Sequence, residues 1–250
     1  MILNLFIVFL ILLGIYFIVM GNTASHLPVA RQRRYLAVFV LGLIAALVTF
    51  IPSPDLFGPD YRFTVSMTQV LFAVDLAPLL LFLGIPEITL LPLQRWDGLK
   101  RSLKNPFVVG AASTFILLVW FTPPVFEAAS RSLPLWVYKQ ILFLLCGLLF
   151  WWPIAGPLPE WRAGYALQLL YLFIIRLPMT VVAIIFTFAN RLIYTARSFS
   201  LEICAPSSIS DQRTGGLVMW TVGGLFVLVV LLIVFFRWFN TGYAAEESPS

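Results

Sequence analysis

Seven apolar runs divide the chain, at residues 2–20, 35–51, 64–85, 106–122, 135–152, 165–189 and 216–239. A helix needs roughly 20 mostly apolar residues to cross the hydrocarbon core of a bilayer. Prolines and polar residues separate the runs, as expected where helices leave the membrane. The pattern predicts an all-α fold: a polytopic membrane helix bundle of seven transmembrane helices, forming a single domain over 1–240. A short polar tail, 241–250, follows. The first run resembles a secretory leader, with Thr23-Ala24-Ser25 imitating a cleavage site. It lacks a basic segment ahead of it and is long for a leader, so it is read as a transmembrane helix.

The third run breaks the pattern in an informative way. Ser66 to Pro86 reads SMTQVLFAVDLAPLLLFLGIP, with Asp75 near its middle and Pro78 three residues later. An Asp at a helix centre costs roughly 2.5–3.5 kcal/mol on insertion scales, so such a residue faces protein or water and its helix belongs inside the bundle. Arg176 is the other charge well inside a run. Counted from opposite faces of the membrane, each lies about 11 residues deep, roughly 17 Å at the helical rise. Equal depth predicts a pair, whose hydrogen-bonded geometry lowers the burial cost of each partner. A proton relay is the functional alternative, but it needs a longer chain of titratable groups than these spans offer, so a structural clamp is favoured. Pro78 and Pro178 are expected to kink their helices near the two charges.

Charge then orients the bundle. Arg31, Arg33 and Arg34 follow the first run, and Arg95, Lys100, Arg101 and Lys104 follow the third. Short loops rich in Lys and Arg stay cytoplasmic, which predicts an outside N-terminus and a cytoplasmic C-terminus in a bacterial plasma membrane. Arg191, Arg197 and Arg213 run against this rule. In the third loop Leu93, Trp96, Leu99 and Leu103 recur at near-helical spacing, which suits either an interfacial helix or an ordinary basic loop facing anionic lipid or a partner. Trp151-Trp152 and Trp238 stand at the cytoplasmic ends of runs five and seven, as aromatic-belt anchors do. Residues 124–132, PVFEAASRS, allow a turn or two of helix on the outer surface. Gln69-Val70-Leu71-Phe72 and Gln140-Ile141-Leu142-Phe143 form a weak internal echo without a full repeat.

Composition narrows the chemistry. Hydrophobic residues make up 61% of the 250 and charged residues 11%, too few charges for a water-soluble domain. The net charge of +5 is scattered through loops, so nucleic acid is not an expected partner. Two cysteines, Cys146 and Cys204, make no disulfide framework. Metal and acid–base work needs His, Cys or clustered carboxylates, and the chain has a single His, His26, in a loop. The five Met are dispersed, no phosphate-binding glycine loop is present, and no span offers haem ligands. Gly215-Gly216 and Gly223-Gly224 suit close helix packing instead. No catalytic residue, metal site or cofactor is expected, and the chain is not read as an enzyme.

Several stretches together carry a family resemblance. They are Pro78-Leu79-Leu80 with Gly84-Ile85-Pro86; Trp120-Phe121-Thr122-Pro123 with Phe126-Glu127-Ala128-Ala129; Gly147 with Phe150-Trp151-Trp152-Pro153; and Asp211-Gln212 with Gly216 and Met219-Trp220. Gln69 stands among the same positions. About residues 35–239 resemble the CtaG-type cytochrome c oxidase assembly family, polytopic proteins implicated in building the copper sites of haem-copper oxidases. The resemblance also implies histidines at the outer ends of the helices. Here Ser66 and Val70 stand at two of those positions, Phe121 at a third and Lys139-Gln140 near a fourth. The implied reading is a histidine-depleted accessory or scaffold subunit beside a haem-copper oxidase or related respiratory complex, with membrane lipid and other integral subunits as partners. The alternative is a copper metallochaperone using Met67, Cys204 or Glu127. A small transporter built on Asp75 and Arg176 is the weakest option.

Overall fold

The computed structural model describes residues 10, 13–14, 16–18, 27–52, 59–87, 103, 105–194 and 206–246. His26, Cys204, most of the first apolar run and the basic residues Arg95, Lys100, Arg101 and Lys104 lie outside the described residues. Every regular element among the described residues is helical. In chain order they are α1 (Val29–Val48), α2 (Arg62–Leu83), α3 (Pro106–Trp120), α4 (Pro123–Arg131), α5 (Leu133–Ala155), α6 (Tyr165–Phe188) and α7 (Ile209–Glu246). Four of them, α2, α5, α6 and α7, are long and apolar enough to cross a membrane, and a fifth span arises if the bent pair α3–α4 counts as one. The bend between α3 and α4 is 68°, so the outer-surface segment expected at 124–132 is a short helix turned away from its span.

The helix boundaries follow local chemistry. Asn105 caps α3, its side chain accepting from the N–H groups of Phe107 and Val108, with Pro106 at the first helical position. Ser132 caps α5 through the Leu135 N–H, again with a proline inside the first turn. Pro153 does not end α5, which runs two residues further to Ala155, and α6 passes through Pro178 unbroken. The helix α7 continues to Glu246, so the chain stays helical into the stretch expected as a polar tail. At 1.5 Å per residue its 38 residues span roughly 57 Å, more than the 40–45 Å of a bilayer with its headgroups.

Helix α2 is the inner stave. Its most apolar window is 67% buried, against 28–39% for the other three long spans. It packs on α1, α5 and α7, while α6 packs against α7 and α3. The two largest apolar clusters among the described residues lie along α2. One lies towards the head of α2, around Phe63, Met67, Phe126, Trp136 and Phe143. The other lies towards its tail, around Phe82, Phe150, Trp151 and Tyr171. Tyr16 from the first run stacks on Phe39 of α1 at 4.0 Å and donates to the Gly84 carbonyl at 3.0 Å, which places this residue against α1 and the end of α2. Exposed apolar side chains cover the outside, among them Phe115, Phe173, Val229 and Phe236.

Candidate functional site

The centre of the bundle is a defect in α2. Residues Phe72–Leu76 form a π turn with Asp75 inside it. Pro78 has no N–H, so it cannot serve the carbonyl four residues before it, that of Val74. The indole of Trp151 does so instead, donating from Nε1 to the Val74 oxygen at 2.9 Å. Trp151 is fully buried. It is therefore not the belt anchor expected from its place at the end of a run: in a bilayer its N–H finds a better acceptor in the freed carbonyl than at the headgroups. Gly147 of α5 allows this approach. A Cβ there would lie 2.6 Å from the Val74 oxygen and 2.8 Å from the Ala73 oxygen.

The same π turn presents Asp75 to α6. Arg176 donates from Nη1 to Oδ1 at 2.9 Å and from Nη2 to Oδ2 at 2.8 Å. The two side chains are 14% and 3% exposed for Arg176 and Asp75. This is the two-pronged geometry in which guanidinium and carboxylate match best. Gly223 of α7 leaves the space for it, since a Cβ there would stand 2.8 Å from Arg176 Nη2 and 2.9 Å from Leu71 Cδ2. A cavity of about 110 Å³ between α2 and α7 reaches Asp75 past Thr68, Leu71, Val222 and Phe226. Chemically the arrangement is an ion pair joining α2 to α6, with α7 notched at Gly223 to make room for it. The described residues supply it with no further ionisable neighbour among that cavity's lining.

At the head of α2, Asp211 acts as a cap supplied from another helix. Its carboxylate accepts from the N–H groups of Phe63 and Thr64 at 3.0 and 2.9 Å and from the Thr64 hydroxyl at 2.8 Å. The first N–H groups of a helix have no partner within it and carry the positive end of the helix dipole, which favours an anion there. Ser207 adds its own N–H to Asp211 Oδ2 at 3.0 Å. Gln212 binds the segment after α6, accepting from the Ile193 N–H at 2.8 Å and donating to the Arg191 carbonyl at 3.2 Å. Gly216 brings α7 against α6, where a Cβ would lie 2.7 Å from the Thr187 backbone nitrogen. Met219 is buried, and Trp220 packs on Phe188 with 6.1 Å between ring centroids. The Asp211–Trp220 stretch thus joins the heads of α2 and α7 to the end of α6.

The Gln69 and Gln140 echo also has a location. Gln69 Nε2 donates to the carbonyls of Val48 and Ile51, at 3.1 and 2.5 Å, and Gln140 Nε2 donates to that of Thr49. Both therefore serve carbonyls at the end of α1 and in the turn just past it, where the helical ladder no longer supplies donors. Sequence reasoning saw the echo and missed its use, because the target lies on another helix. Trp120 packs edge-on against Phe143, and Pro123 opens α4.

The positions at which the family resemblance implies histidines lie in this same head region and hold other chemistry. Ser66, Val70, Phe121 and Lys139 are all buried. Phe121 packs against Phe143 and Phe186. The Lys139 ammonium lies 5.7 Å from the ring centroids of both Phe126 and Phe143. Copper takes imidazole and sulfur ligands, and this donor set offers an alcohol, two hydrocarbon side chains, an amine and, from Gln140, an amide. The residues present do not fit the metal. Among the alternatives, Met67 is buried in the apolar core beside Gly215, and Glu127 pairs with Arg131 at 3.7 Å. Cys204 lies outside the described residues. Among the described residues no three His, Cys, Asp or Glu side chains are grouped to hold a metal.

An uncharacterised protein of Mycobacterium leprae (strain TN) is 26% identical over 244 residues, covering 87% of this chain and 35% of the relative. The chain thus spans about a third of the length of that curated relative. No solved structure matches it. The model of the cytochrome c oxidase caa3 assembly factor family matches residues 14–241, a range that includes the π turn, the Asp75–Arg176 pair and the Asp211–Trp220 latch. On that match this membrane-helix protein belongs to the cytochrome c oxidase caa3 assembly factor family.

Proposed function

We propose that the chain is a non-catalytic accessory or scaffold subunit that sits beside a haem-copper oxidase or a related respiratory complex. In this reading it is a seven-span bundle in a bacterial plasma membrane, with its N-terminus outside and its C-terminus in the cytoplasm. The observation that carries the proposal is the filling of the implied histidine positions by Ser66, Val70, Phe121 and Lys139. Around them the family's other motif residues keep structural tasks: Asp211 caps α2, Gln212 binds the segment after α6, and Trp151 serves the Val74 carbonyl. The scaffold is kept and the ligands are not.

Purification from the native membrane, with co-purifying subunits and copper measured on the same sample, tests the reading. Oxidase subunits in a stable complex, with no copper on the isolated chain, is the expected result. Stoichiometric copper on the isolated chain refutes it and favours a metallochaperone using other ligands.

A further inference from the structure

A groove of mixed chemistry lies at the opposite end of the bundle from the Asp211 latch. It measures about 480 Å³ and opens between the end of α2, the α5–α6 connection and the last turns of α7. Two arginines line it, Arg162 from the connection and Arg237 from α7. Arg162 is tethered: its Nε donates to the Gly156 carbonyl at 2.7 Å, which leaves its two outer nitrogens available to other partners. Its Nη2 lies 3.9 Å from the Glu87 carboxylate, which is itself 62% exposed. That is beyond hydrogen-bond length and screened by water, so the attraction is weak. Burial pushes the Arg162 pKa down; the Glu87 carboxylate opposes that push, and the like charge of Arg237 adds a smaller one in the same direction as burial. Two guanidinium groups thus share a partly buried site with one loosely held carboxylate.

The rest of the wall is hydrocarbon. Leu79 and Leu83 of α2 and Val230 and Ile233 of α7 line the groove. Leu83 and Ile233 are about half exposed, so the groove runs without a break onto the lipid-facing surface. A cationic head over an open apolar trough matches an amphiphile with a negative head and long tails. Guanidinium groups bind phosphate oxygens in a two-pronged geometry, and basic pockets between transmembrane helices take anionic headgroups.

We propose that this groove is a binding site for an anionic phospholipid, its phosphate held between Arg162 and Arg237 and its acyl chains lying along Leu79, Leu83, Val230 and Ile233. The site is independent of the oxidase-associated role: it rests on the groove's own charge and shape.

The test uses the full chain, delipidated in a neutral maltoside detergent and titrated with dioleoyl phosphatidylglycerol or dioleoyl phosphatidylcholine, with bound lipid counted by native mass spectrometry. Wild type is expected to retain phosphatidylglycerol with about tenfold higher affinity than phosphatidylcholine. The Arg162→Gln/Arg237→Gln double variant should lose that preference. Ile233→Trp, which fills the trough without changing charge, should weaken both lipids together. If the double variant does not fold, Arg237→Gln alone carries the test, since Arg237 is an exposed position near the end of a long helix. Equal affinity of wild type for the two lipids overturns the proposal, as does a preference that survives removal of the arginines. Glycerol phosphate competing as tightly as the whole lipid also overturns it and assigns the arginines to a free phosphate.

Discussion

Replacing Asp75 by Asn leaves the shape of the π turn and removes the charge that Arg176 faces. The carboxylate accepts two charge-assisted hydrogen bonds, at 2.9 and 2.8 Å, each worth roughly 1.5–3 kcal/mol net. An Asn keeps one acceptor and turns an NH₂ towards the other guanidinium nitrogen, donor against donor. It also leaves Arg176, 14% exposed, without its counter-charge. Removing one partner of a buried pair costs about 3–5 kcal/mol, and the retained acceptor offsets part of it, so D75N is expected to cost ~2–4 kcal/mol. Arg176→Gln is expected to cost less, because an unpaired carboxyl escapes its charge by taking a proton. In the double variant both neutral amides are left without an uncompensated charge. Its loss should fall short of the sum of the single losses by roughly 1–3 kcal/mol. Thermal or denaturant unfolding in detergent, followed through the eight tryptophans, reads all four corners of the cycle, with folded yield as a second readout. Single losses that add to within ~0.5 kcal/mol in the double variant refute the reasoning, since independent sites behave that way.

Trp151→Phe keeps the ring in the tail-side core and removes the donor to Val74, so it should cost about 1–3 kcal/mol in the same assay; an unchanged midpoint shows that Val74 finds another partner. Asp211→Ala removes the cap of α2 and should cost about 0.5–2 kcal/mol or more, with Asp211→Asn intermediate; hydrogen exchange faster at Phe63 and Thr64 than in the rest of α2 is the local sign, and uniform exchange contradicts it. Gly147→Ala drives a Cβ to 2.6 Å from the Val74 oxygen, which backbone must move to relieve, at about 1–3 kcal/mol; full stability in that variant shows that α5 and the π turn are looser than described.

The amphipathic and apolar runs made the helical class legible, because a bilayer requires every spanning backbone to satisfy itself within one helix. The run edges were less legible. Pro153, just past run five, was read as a helix end, yet α5 passes it and runs on to Ala155, since neighbouring helices and local adjustments re-satisfy the freed groups. The depth of Asp75 and Arg176 was readable by counting residues, and their side chains meet. Their setting was not readable: no local pattern announces a π turn at Phe72–Leu76 or a notch at Gly223 in α7.

Trp151 shows the limit most clearly. Its position at the end of an apolar run suggested the headgroup belt, whereas its partner is a carbonyl that a proline on another helix has freed. Asp211 and the two glutamines repeat the lesson, each closing a helix end far from it in sequence. The sequence by itself determined the helical membrane class, the family, the interior charges and the loss of imidazole at the head of α2, because each depends on residue type and spacing along one chain. Only the tertiary structure decided which groups meet: the Val74 carbonyl with Trp151, the head of α2 with Asp211, and Arg162 with Arg237 across one groove. In hydrocarbon an unsatisfied polar group costs several kcal/mol, so the bundle settles where these distant groups find one another, and that choice is made in three dimensions.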